Sequence, residues 1–189
     1  MKKLFLLAVI FISYGLSAQT NPGDLYIQNY TPHYIEYFIW RSNLSNTAGG
    51  CAPTLEPRAA ASGGLMKLSY STNPGNTSTD ALHRANVNTT FSPNPDVPTT
   101  PVIGAWILNQ NYANPYTTAS PILNTFSNVT SYHGVKFGVQ DVNGVNIGGY
   151  YSLGQECGTP IIPDLSYNPS AVISGTFFAF GGANWMILY

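Results

Sequence analysis

Apolar and polar residues alternate strictly from Val135 to Gln140, which is the period of a β-strand with one buried face. Four further runs are dense in the Tyr, Ile, Phe and Trp residues that strands favour: 24–30, 34–40, 171–180 and 185–189. No segment shows a sustained helical spacing of apolar residues. The pattern therefore predicts an all-β chain.

A turn follows the alternating strand, because Asp, Asn and Gly are crowded into the next four positions. A two-residue turn would place apolar residues opposite polar ones. A three-residue loop, 142–144, instead pairs Val139 with Ile147 and Val135 with Tyr151 and keeps one face apolar. It also puts the last loop residue, a glycine, where a type I turn with a bulge needs a left-handed conformation. We therefore predict a hairpin in this register.

Two other hairpins follow from the turn residues. Thr31-Pro32-His33 separates the runs 24–30 and 34–40, since proline has no amide hydrogen to donate. Both faces of 34–40 are apolar except at Glu36, which predicts a strand in the centre of a packed sheet. Gly181-Gly182 separates the last two aromatic runs in the same way.

The segments 42–64 and 72–101 are rich in Pro, Asn, Ser, Thr and Gly, and we expect both to be loops. Short strands are predicted around 66–70 and 102–108. Many short strands joined by turns are typical of an antiparallel β-sandwich or jelly roll. The predicted fold is thus an all-β antiparallel sandwich or jelly roll with long Pro-, Asn- and Thr-rich loops.

The first 18 residues have the three-part layout of a secretory signal peptide. Lys2-Lys3 is followed by nine apolar residues, 4–12, and by a tail of small residues, 13–18. A helix that spans a bilayer needs roughly 20 apolar residues, so a retained anchor fits poorly. We expect cleavage after Ala18, which leaves 19–189 as a single secreted or periplasmic β domain.

Charged residues make up only 8% of the chain, and its formal net charge is −1. Removal of the two leader lysines makes it −3. Binding to nucleic acid or to an anionic membrane therefore has no electrostatic basis. A polar surface built from Asn, Ser, Thr and Tyr suits uncharged partners.

The mature chain holds two cysteines, Cys51 and Cys157. An oxidising compartment favours a disulfide between them. The alternative is two buried thiols that pack as small hydrophobic groups.

No cofactor or metal is indicated. The histidines His33, His83 and His133 are far apart in sequence and lack the paired spacing of zinc sites. The chain also has no P-loop, no dinucleotide fingerprint and no G-x-S-x-G element.

The segment around His133, followed by Gln155-Glu156-Cys157-Gly158, resembles elements of caspase-like cysteine proteases. The spacing of 24 residues is about half that of the family, and a disulfide would consume the nucleophile. A glycoside hydrolase with an unrecognised acid pair stays open as an alternative. Its candidate acids are Glu36, Glu56, Asp141, Glu156 and Asp164.

Aromatic residues supply the remaining candidate site. We expect Trp40, Trp106 and Trp185 in the core because they lie in apolar runs. The polar loop 109–118 differs, since its tyrosines are able to stack on a neutral ring-shaped ligand while its amides bind hydroxyl groups. The predicted ligand-binding residues are Asn109, Asn111, Tyr112, Asn114 and Tyr116. In the alternative, both tyrosines fold over the ends of the sheets.

The end of the chain allows one more interpretation. Trp185, Ile187 and Tyr189 alternate in a way that resembles the terminal strand of outer-membrane β-barrels, so a small barrel or pore-forming protein is a further alternative. Export, low charge and the polar-aromatic loop instead favour a secreted, non-enzymatic binding or adhesion protein. Its predicted partner is a neutral glycan or another uncharged component of a cell surface.

Overall fold

The computed structural model describes residues 23–189, which form two β-sheets and one short α-helix. This confirms the predicted all-β sandwich. The predicted leader and its cleavage point lie outside the described residues.

Sheet A has four strands in the order β5-β1-β10-β9. Its strands are β1 (Leu25–Asn29), β5 (Thr79–His83), β9 (Gly175–Phe180) and β10 (Ala183–Leu188). β1 and β10 pair in parallel at its centre, whereas the other pairs are antiparallel.

Sheet B has six strands, five of them in the order β6-β3-β2-β7-β8, and β4 also pairs with β2. Its strands are β2 (Tyr34–Ser42), β3 (Thr54–Ala59), β4 (Met66–Leu68), β6 (Ile103–Leu108), β7 (Ser131–Gln140) and β8 (Asn146–Gly154). The central position of β2 is as predicted from its apolar residues.

The core lies between the two sheets and is built by alternation. Ile35, Tyr37 and Ile39 of β2 are fully buried, and the residues between them are half-buried on the outer face. The Tyr37 hydroxyl is 2.8 Å from Nε2 of the buried His83 on sheet A. A polar bond thus joins the two sheets through the core.

The predicted hairpin between the first two strands is wrong. β1 lies in sheet A and β2 in sheet B, so the intervening turn crosses from one sheet to the other. The buried side chain of Asn29 holds this crossing: its Nδ2 donates to the carbonyls of His33 and Ser69, and its Oδ1 accepts from the Thr31 hydroxyl. These bonds replace the ladder that a hairpin would have formed.

The two predicted loops are only partly loops. Segment 42–64 contains β3, and segment 72–101 contains β5 and a 3₁₀ turn, Val87–Phe91. In β3 the buried residues Leu55, Pro57 and Ala59 alternate with half-buried ones. This alternation is typical of a strand, but Pro57 obscures it in the sequence. Tertiary pairing outweighs the local preference of proline and threonine here.

One helix, α1 (Pro121–Val129), was not predicted. Only Leu123 and Ser127 are buried in it, so its apolar stripe is too short to show a period. The buried Arg41 stabilises its end by donating from Nη2 to the carbonyls of Ser127 and Thr130, where a helix favours positive charge.

The β7–β8 hairpin has the predicted loop but not the whole predicted register. Asp141 and Val145 close the three-residue loop, and Gly144 has a φ of 79°. Farther from the loop, Val135 lies opposite Leu153 and not opposite Tyr151. An irregularity on β8 causes this shift, and Gly148 with a φ of 77° supplies its left-handed residue.

Of the three tryptophans predicted in the core, only Trp106 is fully buried there. Trp185 is half-buried on the outer face of sheet A, where it stacks on Tyr26 with ring centroids 4.2 Å apart. Trp40 is half-buried on the outer face of sheet B. Two tryptophans are thus available outside the core.

The predicted disulfide between Cys51 and Cys157 is present, with Cα atoms 5.9 Å apart. It joins the β2–β3 connection to the segment that follows β8. Within 23–189, no helix has both the length and the apolar character that a membrane span requires.

Candidate functional site

An open cleft of about 240 Å³ lies beside the disulfide on sheet B. We call it the disulfide cleft. Its lining residues are Phe38, Ile39, Trp40, Arg41, Ser42, Gly50, Thr54, Leu55, Glu56, Gln110, His133, Glu156 and Cys157.

The cleft follows from the pairing of β2. On one side of β2, β4 pairs with Ile35–Tyr37 and β3 pairs with Arg41 and Ser42. The stretch 38–40 lies between these two ladders. Its side chains therefore border a gap in the sheet, with β7 on the other side.

Trp40 packs against a glycine on β7. It lies opposite Gly134, and a Cβ on that glycine would overlap with the Trp40 Cε3 atom. The six-membered ring thus occupies the space of the missing side chain. Gly134 is what allows the indole to lie against the sheet and to line the cleft.

A hydrogen-bonded group lies at the rim. The Tyr112 hydroxyl donates to Glu56 Oε2 over 2.8 Å, and the Arg58 guanidinium donates to the same oxygen over 3.2 Å. Arg58 also lies over the rings of Phe38 and Tyr112. The bond to Glu56 raises the pKa of Tyr112, while the ring stays 55% exposed.

A left-handed turn carries the next rim residue. Asn109 and Gln110 have φ angles of 46° and 60°, which are uncommon for residues other than glycine. Asn109 is held there by two bonds to Thr54: its Oδ1 accepts from the Thr54 amide, and its own amide donates to the Thr54 carbonyl. This turn places Gln110 at the cleft.

The structure divides the predicted ligand-binding loop. Tyr112 lies beside the cleft, whereas Tyr116 pairs with Trp106 through backbone hydrogen bonds and packs against the core. Asn111 and Asn114 are exposed on the same loop and are joined by a 3.5 Å hydrogen bond. The two tyrosines therefore do not form one stacking surface.

Sequence reasoning missed most of the cleft. The sequence predicts Trp40 in the core because the run 34–40 is apolar on both faces except at Glu36, and it does not single out Phe38. The signal that could have found them is Gly134, since a glycine in a strand marks a close approach by another group.

Among the five candidate acids, Glu56 and Glu156 line the same cleft. Glu36 lies elsewhere on β2 and accepts from Gln140. Asp141 accepts from the Asn143 and Val145 amides, which lower its pKa, and Asp164 binds the amide of Ser166. Of the five candidate acids, only Glu56 and Glu156 therefore share a cleft.

A buried serine–histidine pair borders the cleft as well. The Ser42 hydroxyl oxygen is 2.7 Å from His133 Nε2, and His133 Nδ1 bonds to the Gln155 carbonyl. Burial lowers the pKa of His133 to about 4, so the imidazole is neutral at pH 7.

No three His, Cys, Asp or Glu side chains between residues 23 and 189 form a group that could hold a metal ion. Comparison of the chain with protein-family models, with curated proteins and with solved structures finds no match.

Proposed function

We propose that the protein is an exported binding protein that recognises neutral glycans through the disulfide cleft. The observation that carries this proposal is the position of Trp40, which lies against Gly134 and lines an open cleft together with Glu56 and Gln110. An aromatic ring supplies apolar area with a polar edge, and it is a surface on which a sugar ring stacks. The carboxylate and the amide bind hydroxyl groups.

Charge supports an uncharged ligand. Arg58 pairs with Glu56 at the rim, and the guanidinium of Arg41 is bound by carbonyls at the end of α1. Arg58 is thus paired, whereas Nη1 of the buried Arg41 has no hydrogen-bond partner among the described residues. The low charge of the chain as a whole is what favours a neutral ligand.

Export is part of the proposal. It is supported by the leader pattern of residues 1–18 and by the disulfide, which persists in oxidising compartments. Mass spectrometry of the protein collected outside a host cell should find an N-terminus at or near Gln19. Intact Met1 on that material would refute cleavage.

A glycan array tests the ligand class, and titration calorimetry with the best neutral glycan tests the site. Trp40→Ala should weaken binding about tenfold or more, because it removes the stacking surface. Trp185→Ala is the matched control, since that ring is half-buried on the other sheet. If the array shows no neutral ligand, or if both variants bind equally, the proposed site is wrong.

A second candidate function is glycoside hydrolysis, because Glu56 and Glu156 line the same cleft. The assay is release of reducing ends from the glycans that bind. A hydrolase should lose activity in both Glu56→Gln and Glu156→Gln. A binding protein releases none.

A further inference from the structure

His133 reaches the cleft through a β-bulge. Trp40 pairs with Gly134, but the next residue, Arg41, pairs with Tyr132, so His133 is the extra residue of β7. Bulges of this kind redirect a side chain and occur next to active sites. Here the bulge places the imidazole against Ser42, the last residue of β2.

The hydrogen bonds of His133 determine which of its two ring nitrogens carries the proton. A carbonyl oxygen only accepts, so His133 must donate from Nδ1 to the Gln155 carbonyl. Nε2 is then the unprotonated nitrogen, and the Ser42 hydroxyl donates to it over 2.7 Å. This tautomer and this direction are those of a serine nucleophile with its general base, and the carbonyl takes the role of the orienting group.

Both partners border solvent-accessible space. Ser42 is 4% exposed and His133 is 7% exposed, yet both line the open cleft. Gln110 lines it too, and its side-chain amide is the type of donor that stabilises an oxyanion. A nucleophile, a base and a donor thus share one cavity.

We propose that Ser42 is a nucleophile and that the disulfide cleft hydrolyses uncharged carboxylic esters. Ser42 Oγ forms a bond to the acyl carbon while its proton passes to His133 Nε2. The ester C–O bond then breaks, and the alcohol leaves with that proton. Water attacks the acyl-serine, gives its proton to His133, and releases the carboxylic acid with the serine hydroxyl restored.

The neutral imidazole accepts the proton, but burial makes it a weaker base than one with a pKa near 7. We therefore expect slow turnover. A reagent that reacts only once with the Ser42 hydroxyl is therefore a better test than repeated turnover of an ester.

The test is labelling of the complete exported protein by a neutral fluorophosphonate, followed by intact-mass measurement and peptide mapping. The expected result is one adduct per chain, on Ser42. Ser42→Ala should abolish it, and His133→Gln should slow it about 100-fold, which is the typical contribution of a general base. Ser152→Ala, on the neighbouring strand β8, should label at the wild-type rate.

A different outcome is expected if the hydrogen bond between Ser42 and His133 has only a structural role. Wild-type protein would then stay unlabelled while folded, and this result would overturn the proposal, as would an adduct that persists in Ser42→Ala. Near-ultraviolet circular dichroism identifies any variant that fails to fold, and the wild-type result decides the question without variants. Labelling needs no glycan, so its failure and the failure of glycan binding are independent.

Discussion

Trp40 and Gly134 are partners across β2 and β7, and the indole ring fills the space above the glycine. The pair couples the stability of sheet B to the shape of the cleft. A side chain at position 134 would meet both the ring and, at 2.9 Å, the backbone carbonyl of Leu153.

Gly134→Ala should therefore lower the free energy of unfolding by about 1–3 kcal/mol, because a packed site must open. Urea denaturation measures this change, and glycan titration should show weaker binding as Trp40 is displaced. Gly149→Ala is the control, since nothing lies within 4 Å of the added Cβ. Equal unfolding midpoints for the two variants would contradict the packing argument.

Gly144→Val should destabilise the β7–β8 hairpin by about 1 kcal/mol or more. Gly144 has a φ of 79°, a conformation that a β-branched residue tolerates poorly. Thermal unfolding gives the measurement. Gly64→Val is the control. The φ angle of Gly64 lies outside the left-handed region, and a Cβ added there has its nearest neighbouring atom 3.6 Å away. This substitution should therefore lower the free energy of unfolding by less.

Replacement of both cysteines by serine should cost about 2–5 kcal/mol of unfolding free energy, because the disulfide closes a loop of 106 residues and restricts the unfolded chain. Urea denaturation of the two proteins gives the difference. The unreduced wild type, when denatured, should show no thiol to a maleimide reagent. Two labelled thiols per chain would refute the bond.

Stability should fall as the pH falls from about 6.5 towards 4. Burial lowers the pKa of His83 to about 3 and that of His133 to about 4. As the pH falls, the unfolded state therefore binds protons at a higher pH than the folded state does. Each histidine contributes at most about 1.4 kcal/mol per pH unit in this window. His133→Gln should reduce the slope of unfolding free energy against pH, and an unchanged slope would contradict its burial as a neutral group.

The strands with the clearest patterns could be predicted from sequence. β7 alternates, β2 is apolar on both faces, and Gly181-Gly182 forms the predicted turn between β9 and β10. These signals are local, because each depends on burial within one strand or on the backbone freedom of a turn.

Features that depend on contacts between residues far apart in the sequence could not be predicted. Asn29 sends the chain from sheet A to sheet B through bonds to His33 and Ser69, and the second of these residues is 40 positions away. β3 forms because β2 and β6 flank it, although Pro57 interrupts its pattern. No periodicity reveals such contacts.

Only part of the candidate site could be predicted from the sequence. The polar-aromatic loop contributes Tyr112 to the rim, but its other tyrosine packs against the core. The aromatic residues of the cleft come from β2, for which the sequence predicts burial on both faces. Apolar composition alone does not distinguish the inner face of a sheet from an outer face that borders a cleft.

The parallel pairing of β1 with β10 sets an order of assembly. The antiparallel pairs β7–β8 and β9–β10 form from neighbouring segments, whereas the centre of sheet A joins the first described strand to the last. Closure over such a distance is slow, so we expect sheet A to form late in folding. Under the proposed export, a chain that crosses a membrane from its N-terminus cannot complete this sheet until β10 has emerged, and β1 would therefore lack its central partner throughout translocation.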